Sequence, residues 1–168
     1  QGPAVDKFEL DLSRKMGSDY VCAVSSGTAA LHLTGLSLGW GVGDFVVTSP
    51  ISFLASANCI LYTGATPVFV DVDPTTLNID PNRLEEKIQE LRLVGKNVKA
   101  VVVVDFSGHP ADWNAIRGIA SRYELQLVND NCHALGARYR SDPYYAAKYA
   151  DVTTLSFHPV KHITTGEG

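Results

Sequence analysis

The chain has 168 residues, 45% of them hydrophobic and 19% charged, a composition typical of one soluble domain with a substantial core. The net charge is -4 and the 14 lysine and arginine residues are scattered, which excludes the basic stripe that binding to a nucleic-acid backbone requires. No apolar run approaches the roughly 20 residues of a membrane span and no secretory signal opens the sequence, so we expect no membrane partner and a cytoplasmic location.

Apolar runs of strand length alternate with segments of helical period along the chain. In chain order, the pattern predicts a strand at 20–25, a helix at 27–38, strands at 45–48 and 67–72, a helix at 81–91, a strand at 99–106, a helix at 111–123, and strands at 125–129 and 152–157. Buried strands separated by helices indicate parallel pairing, because right-handed crossovers place a helix over the sheet each time. We therefore predict a three-layer α/β domain with a mostly parallel sheet.

Residue spacing disfavours several alternative kinds of site. Cys22, Cys59 and Cys132 are odd in number, far apart and within apolar segments, so we predict buried reduced thiols rather than disulfides or zinc ligands. His158 and His162 are four residues apart, but an intervening proline disfavours the helix that would align them on a metal ion. The sequence also contains no Walker phosphate loop.

Lys161 lies in a loop just after the last predicted strand, where its amine can meet a bound aldehyde. A lysine that forms a Schiff base must be partly neutral, which burial and nearby positive charge favour. A single lysine is more often a solvated surface charge. The prediction that Lys161 is catalytic therefore depends on the residues that precede it in the chain.

A phosphate-binding turn is predicted where the segment 24–31 passes from a strand into a helix, with Gly27 at the turn and Thr28 beside it. Backbone amides and hydroxyls converge there at the positive end of a helix, which suits a phosphate monoester. An ordinary capped helix explains the same residues equally well. Ser156, at the end of the last predicted strand, offers a hydroxyl to the same phosphate.

Three further residues are candidates for contacts with an aromatic cofactor. Asp130 follows a predicted strand, and a carboxylate there can bond a protonated pyridine nitrogen, although a turn-forming aspartate is the commoner case. Phe53 follows a strand exit and can stack on the cofactor, with core packing as the alternative. His133 can lie against the ring or reach its phenolic oxygen, or can be a partly buried polar residue. With Lys161, this set predicts a site for pyridoxal 5'-phosphate (PLP).

These residues, in this order, resemble the DegT/DnrJ/EryC1/StrS sugar aminotransferases, fold-type I PLP enzymes that aminate keto sugars attached to nucleotides. The resemblance implies that Lys161 is the Schiff-base lysine and that Asp130 is the partner of the pyridine nitrogen. It implies that Gly27, Thr28 and Ser156 bind the phosphate and that Phe53 stacks on the ring. His133, which stands where many members have glutamine, would contact the ring. It also implies PLP as cofactor, glutamate as amino donor, a nucleotide-sugar substrate and a homodimer.

Four motifs resemble the branch of the family that aminates UDP-4-keto-6-deoxy-amino sugars toward pseudaminic acid. They are Thr48-Ser49-Pro50-Ile51-Ser52-Phe53, Val104-Asp105-Phe106-Ser107-Gly108, Asp130-Asn131-Cys132-His133-Ala134-Leu135-Gly136 and Phe157-His158-Pro159-Val160-Lys161. Members outside that branch often carry a histidine where Asp105 stands. The resemblance therefore implies a substrate that is a nucleotide-linked 4-keto-6-deoxy sugar.

Members of the family run to more than twice this length. The resemblance implies that residues 1–168 form the PLP-binding large domain in an incomplete state. It lacks an antiparallel strand expected between the strands at 21–25 and 152–157, and it lacks the small domain. Two hypotheses stay open at this point: an aminotransferase or the cofactor-binding part of one, and a truncated, non-catalytic fragment or binding module that keeps the fold.

Overall fold

A five-stranded parallel sheet forms the centre of the computed structural model, which describes residues 2–166. The strands are β1 (Asp44–Thr48), β2 (Thr66–Phe69), β3 (Asn97–Val104), β4 (Gln126–Asp130) and β5 (Val152–Thr154). Their spatial order is β2-β1-β3-β4-β5, and every neighbouring pair is parallel. The strand after β1 is added on one side of it, and β3, β4 and β5 are added on the other side. The order of the strands therefore switches between β1 and β3, and open α/β sheets bind ligands beside the carboxyl ends at such a point.

Helices cover both faces of the sheet. They are α1 (Pro3–Met16), α2 (Gly27–Ser37), α3 (Ala55–Tyr62), α4 (Pro81–Leu93), α5 (Trp113–Arg122) and α6 (Tyr145–Tyr149), with a short 3-10 turn at Phe106–Gly108. Side chains alternate between the faces of a strand, so Val101 and Val103 of β3 pack with α4 and α5, whereas Ala100 and Val102 pack with α2 and α3. The predicted three-layer, mostly parallel α/β fold is confirmed.

Local sequence explains where the main helices begin. The Asp80 side chain accepts hydrogen bonds from the first backbone amides of α4, and Pro81 follows it at a position where no amide donor is needed. Asp112 and Ser26 cap α5 and α2 in the same way. The predicted helices at 27–38, 81–91 and 111–123 correspond to α2, α4 and α5 within two residues at each end.

The predicted strand at 20–25 is wrong. The segment is unpaired, and a cleft of about 670 Å³ separates it from β5. An extended segment becomes a strand only when its backbone groups pair with a neighbour, and residues 2–166 supply no strand beside this one. The amide of Ala23 instead donates to Glu9 Oε1 of α1 at 2.7 Å.

The unpaired segment also corrects the prediction for one cysteine. All three cysteines are free thiols; Cys59 is buried as predicted and Cys132 is half-buried, but Cys22 is exposed. Cys22 lies in the segment that no strand covers, so its apolar neighbours do not enclose it. Gln1, Glu167 and Gly168, which the predicted domain of residues 1–168 includes, lie outside the described residues. No helix in the described part of the chain has the length and apolar character needed to cross a membrane.

Candidate functional site

Asp130 is the last residue of β4 and is only 4% exposed. Ser56, in the first turn of α3, donates its hydroxyl to Asp130 Oδ2 at 2.6 Å. The backbone amide of Cys132 donates to Asp130 Oδ1 at 3.3 Å. Both partners are donors, which matches the acceptor-only chemistry of a carboxylate. Helix α3 and the turn after β4 thus hold the side chain at the carboxyl edge of the sheet.

Gly27, the first residue of α2, lies against the exit of β5. A Cβ atom added to Gly27 would lie 3.1 Å from both Cys132 Sγ and Ser156 Cβ, and 3.3 Å from the carbonyl oxygen of Leu155. The glycine therefore allows the amino end of α2 to approach Ser156 closely. Sequence reasoning placed these two residues in one site, and the structure brings them into contact.

The amino end of α2 retains free donors. Ser26 Oγ accepts a hydrogen bond from the amide of Ala29 at 3.1 Å, which satisfies one of the amides that a helix leaves unpaired. The amides of Gly27 and Thr28 donate to no protein atom among the described residues. The helix is thus both capped, as in the alternative explanation of this sequence, and open to an anion at its first two amides.

Lys161 lies half-buried in the loop after β5, where its backbone amide donates to the carbonyl of His158 at 2.9 Å. Partial burial lowers the pKa of His133, and the positive charge of Lys161 lowers it further, against an opposite effect of Asp130. Burial and the charge of Asp130 raise the pKa of Cys132, and Lys161 opposes them. Because Lys161 and Asp130 act on the same two side chains, all four residues share one neighbourhood.

Phe53 and Thr28 lie near this neighbourhood without contacting it through hydrogen bonds. Phe53 is 66% exposed in the loop between β1 and α3, which excludes the alternative that its ring packs in the core. Its carbonyl accepts the amide of Ser56 at 3.0 Å, so its backbone is fixed relative to the residue that holds Asp130. Thr28 is exposed on the first turn of α2.

A fully buried carboxylate, Asp105, was missed as a site residue by sequence reasoning, which noted it only as a family marker. It follows β3, and its backbone amide donates to the carbonyl of Asp130 at 3.2 Å. Its oxygens accept five hydrogen bonds, from Ala111 N (2.8 Å), Trp113 Nε1 (3.0 Å), Asn129 Nδ2 (3.2 Å), Asn131 Nδ2 (2.9 Å) and Tyr145 OH (2.8 Å). Burial raises the pKa of Asp105, and the hydrogen bonds partly offset that effect. Two of the donors flank Asp130 in sequence, so the network fixes the end of β4.

Ser56 was also missed, because a serine in the first turn of a helix usually caps the helix itself and nothing in the sequence connects it with a residue 74 positions away.

The functional groups at this edge of the sheet suit a phosphorylated pyridine aldehyde. Free amides can bind the anion, a carboxylate can bond the ring nitrogen and an amine can react with the carbonyl carbon. No group of three or more histidine, cysteine, aspartate or glutamate side chains within residues 2–166 could hold a metal ion.

Relatives of the chain include a polysaccharide biosynthesis protein, a transaminase and a perosamine synthase. The chain is 40% identical over 168 residues to the spore coat polysaccharide biosynthesis protein SpsC of Bacillus subtilis, covering all of this chain and 41% of that protein. It is 39% identical over 167 residues to the UDP-4-amino-4,6-dideoxy-N-acetyl-β-L-altrosamine transaminase of Campylobacter jejuni (99% and 43% covered). It is 38% identical over 168 residues to the GDP-perosamine synthase of Escherichia coli O157:H7 (100% and 44% covered). The chain thus spans less than half the length of these relatives.

Solved structures agree with this similarity. The crystal structure of NtdA from Bacillus subtilis with bound cofactor PMP matches with a TM-score of 0.88 and 38% identity, over 98% of this chain and 35% of that one. A DegT DnrJ EryC1 StrS aminotransferase from Brucella abortus matches with a TM-score of 0.90 and 33% identity, over 95% and 43%. The profile of one family matches residues 1–168 throughout. The chain belongs to the DegT/DnrJ/EryC1/StrS aminotransferase family.

Proposed function

We propose that the protein binds PLP at the carboxyl edge of its sheet and transfers an amino group from glutamate to a nucleotide-linked 4-keto-6-deoxy sugar. The observation that carries this proposal is the convergence of an amine, a carboxylate and a helix amino end. The charges of Lys161 and Asp130 both shift the pKa values of His133 and Cys132. Cys132 Sγ in turn lies close to Gly27, 3.1 Å from where a Cβ on that residue would be. PMP bound to a related structure supports the choice of cofactor.

Each proposed residue role follows from its chemistry. The free amides of Gly27 and Thr28 and the hydroxyl of Ser156 would bind the phosphate. The Asp130 carboxylate would accept a hydrogen bond from the protonated pyridine nitrogen and keep it protonated, and the bound cofactor would supply an electron sink for carbanion chemistry. Phe53, exposed at the same edge, would cover one face of the ring.

The two remaining roles concern proton transfer and ring contact. The amine of Lys161 would react with the cofactor aldehyde and would afterwards move a proton at the substrate carbon. His133 would lie against the ring or its phenolic oxygen. Burial and the neighbouring Lys161 lower the pKa of His133, which favours its neutral imidazole.

We also propose how the chain fits into a larger enzyme. Residues 1–168 would be the PLP-binding large domain, and the cleft between segment 20–25 and β5 would hold the expected antiparallel strand. The small domain would follow, and a second subunit would complete the site as a homodimer in the cytoplasm.

For the substrate, the similarity to the Campylobacter jejuni transaminase supports a UDP-linked amino sugar. The similarity to GDP-perosamine synthase is nearly as high, so an assay with UDP- and GDP-linked 4-keto-6-deoxy sugars should decide the nucleotide. Faster amination of the GDP-linked sugar would contradict the UDP-sugar proposal.

The decisive experiment is reduction of the PLP-treated protein with borohydride, followed by peptide mass spectrometry. We expect a phosphopyridoxyl group on Lys161 and its complete loss in Lys161→Ala. Lys87→Ala is the matched control, because Lys87 forms an ion pair with Glu90 on the exposed face of α4. Labelling that persists in Lys161→Ala would refute the lysine assignment, and no cofactor uptake by the wild-type protein would favour the non-catalytic alternative.

A further inference from the structure

Ser56 makes a contact that helix α3 itself does not require. Its hydroxyl is fully buried and donates to Asp130 Oδ2 at 2.6 Å. The helix α3 connects β1 to β2, whereas Asp130 ends β4 on the other side of β3. The hydrogen bond therefore joins two elements that are separated by a strand.

The position of Ser56 is itself fixed by its surroundings. Its amide donates to the carbonyl of Phe53 at 3.0 Å, and its carbonyl accepts the thiol of Cys59 at 3.3 Å. Burial, together with the charge of Asp130, raises the pKa of Cys59 to about 12, so this thiol remains a neutral donor. Within residues 2–166, the fully buried hydroxyl of Ser56 donates to Asp130 alone.

The geometry has a chemical consequence for the carboxylate. A carboxylate offers about four lone-pair positions, two on each oxygen. Ser56 takes one on Oδ2 and the amide of Cys132 takes one on Oδ1, which prevents the group from rotating about its Cβ–Cγ bond. The remaining lone pairs then keep a fixed direction.

We infer that Ser56 is a positioning residue that holds the Asp130 carboxylate in the orientation that binds a protonated ring nitrogen. The inference rests on the proposed function, because it takes a pyridine cofactor as the ligand. In this role Ser56 would act through Asp130 and would not itself contact the cofactor or the substrate. A charge-assisted hydrogen bond depends strongly on alignment, so a carboxylate free to rotate should bind the ring nitrogen less well.

Deleting the ring nitrogen from the ligand tests this role without measuring activity. The dissociation constants of pyridoxamine 5'-phosphate and its 1-deaza analogue, in which C–H replaces the nitrogen, are measured for the purified wild-type protein and for Ser56→Ala. We expect the wild type to prefer the nitrogen-containing ligand by about tenfold or more. Ser56→Ala should lose most of this preference, with binding of the analogue changed by less than about twofold.

Two further variants act as controls. Ser49→Ala makes the same chemical change at another buried serine, whose hydroxyl donates to the carbonyl of Ile51, and it should keep the full preference. Ser56→Thr retains the hydroxyl and should also keep the preference. If Ser56→Thr loses the preference while it binds the analogue normally, the hydroxyl is not the group responsible and the inference fails.

The remaining outcomes separate this inference from the proposed function. Equal weakening of both ligands in Ser56→Ala would indicate a packing role and overturn the inference, as would an unchanged preference. Both results would leave the proposed function intact. A wild-type protein that binds neither ligand, or that shows no preference between them, would overturn the role of Asp130 and this inference with it.

Discussion

At Gly27, the amino end of α2 packs closely against the exit of β5. We expect Gly27→Ala to push α2 away from Ser156, because the new Cβ would lie 3.1 Å from Cys132 Sγ and 3.3 Å from the Leu155 carbonyl. The free energy of unfolding should fall by about 1–3 kcal/mol, and inorganic phosphate and PLP should bind more weakly. Urea unfolding and equilibrium dialysis measure the two effects.

Gly118→Ala is the control for that substitution. Gly118 lies on the exposed side of α5, where an added Cβ would meet no atom within 4 Å. Alanine has the higher helix propensity, so this variant should be more stable by about 0.5–1 kcal/mol and should bind phosphate normally. Unchanged phosphate and PLP binding in Gly27→Ala would argue against a phosphate site at this helix end.

His133 reports on the charge of Lys161. Its pKa should lie below the ordinary value for histidine, because burial and the nearby ammonium both disfavour the imidazolium. In Lys161→Ala the pKa of His133 should rise but stay below the ordinary value, since burial, the largest cause, remains. NMR titration of the imidazole carbon-bound protons in the protein without cofactor measures the shift, and Lys148→Ala on α6 should leave it unchanged. A His133 pKa that does not respond to Lys161→Ala would mean that the two side chains are not neighbours.

At the scale of elements, the Asp105 network joins the ends of β3 and β4 to α5 and α6. We expect Asp105→Asn to lower the free energy of unfolding by about 3 kcal/mol or more. The amide nitrogen of asparagine would replace an oxygen that accepts hydrogen bonds, and it would face other N–H and O–H donors without an acceptor. Urea unfolding measures the loss. Asp112→Asn should change stability by less than about 0.5 kcal/mol, because asparagine caps a helix as well as aspartate does. Equal free energies of unfolding for the two variants would show that the Asp105 network does not stabilise the fold as expected.

Apolar side chains are exposed at the carboxyl edge of the sheet, where the predicted site lies. Phe53 lies in the loop after β1, and Val160, which is 77% exposed, lies in the loop after β5. Exposed apolar patches of this kind often mark subunit interfaces. We therefore propose that these two loops lie at the two-fold interface of the proposed homodimer.

At the scale of the whole molecule, we therefore expect a homodimer at micromolar concentration in light scattering. Val160→Asp should shift it toward the monomer, because a charge would be buried without a partner. Val42→Asp is the control, since Val42 is also exposed but precedes β1 at the opposite edge of the sheet. A monodisperse wild-type monomer would count against the dimer.

Local patterns in the sequence predicted the main helices and strands because apolar periods act over a few residues. The apolar period predicted α4 and α5 within two residues at each end, and the structure shows that Asp80 and Asp112 cap their starts. The same patterns did not predict α1, α3 or α6, and they wrongly predicted a strand at 20–25. Strand pairing is a long-range property, so an apolar extended run alone does not reveal whether a partner lies beside it.

The sequence by itself determined the fold class, the family and the order of the candidate residues, because these depend on residue types and spacing along the chain. Only the tertiary structure decided which residues meet. It brings Gly27 against Ser156 and Cys132, joins Ser56 to Asp130 across a strand, and surrounds Asp105 with five donors. Such contacts join residues far apart in the chain, and their existence depends on how the sheet orders its strands and on how deeply each side chain is buried.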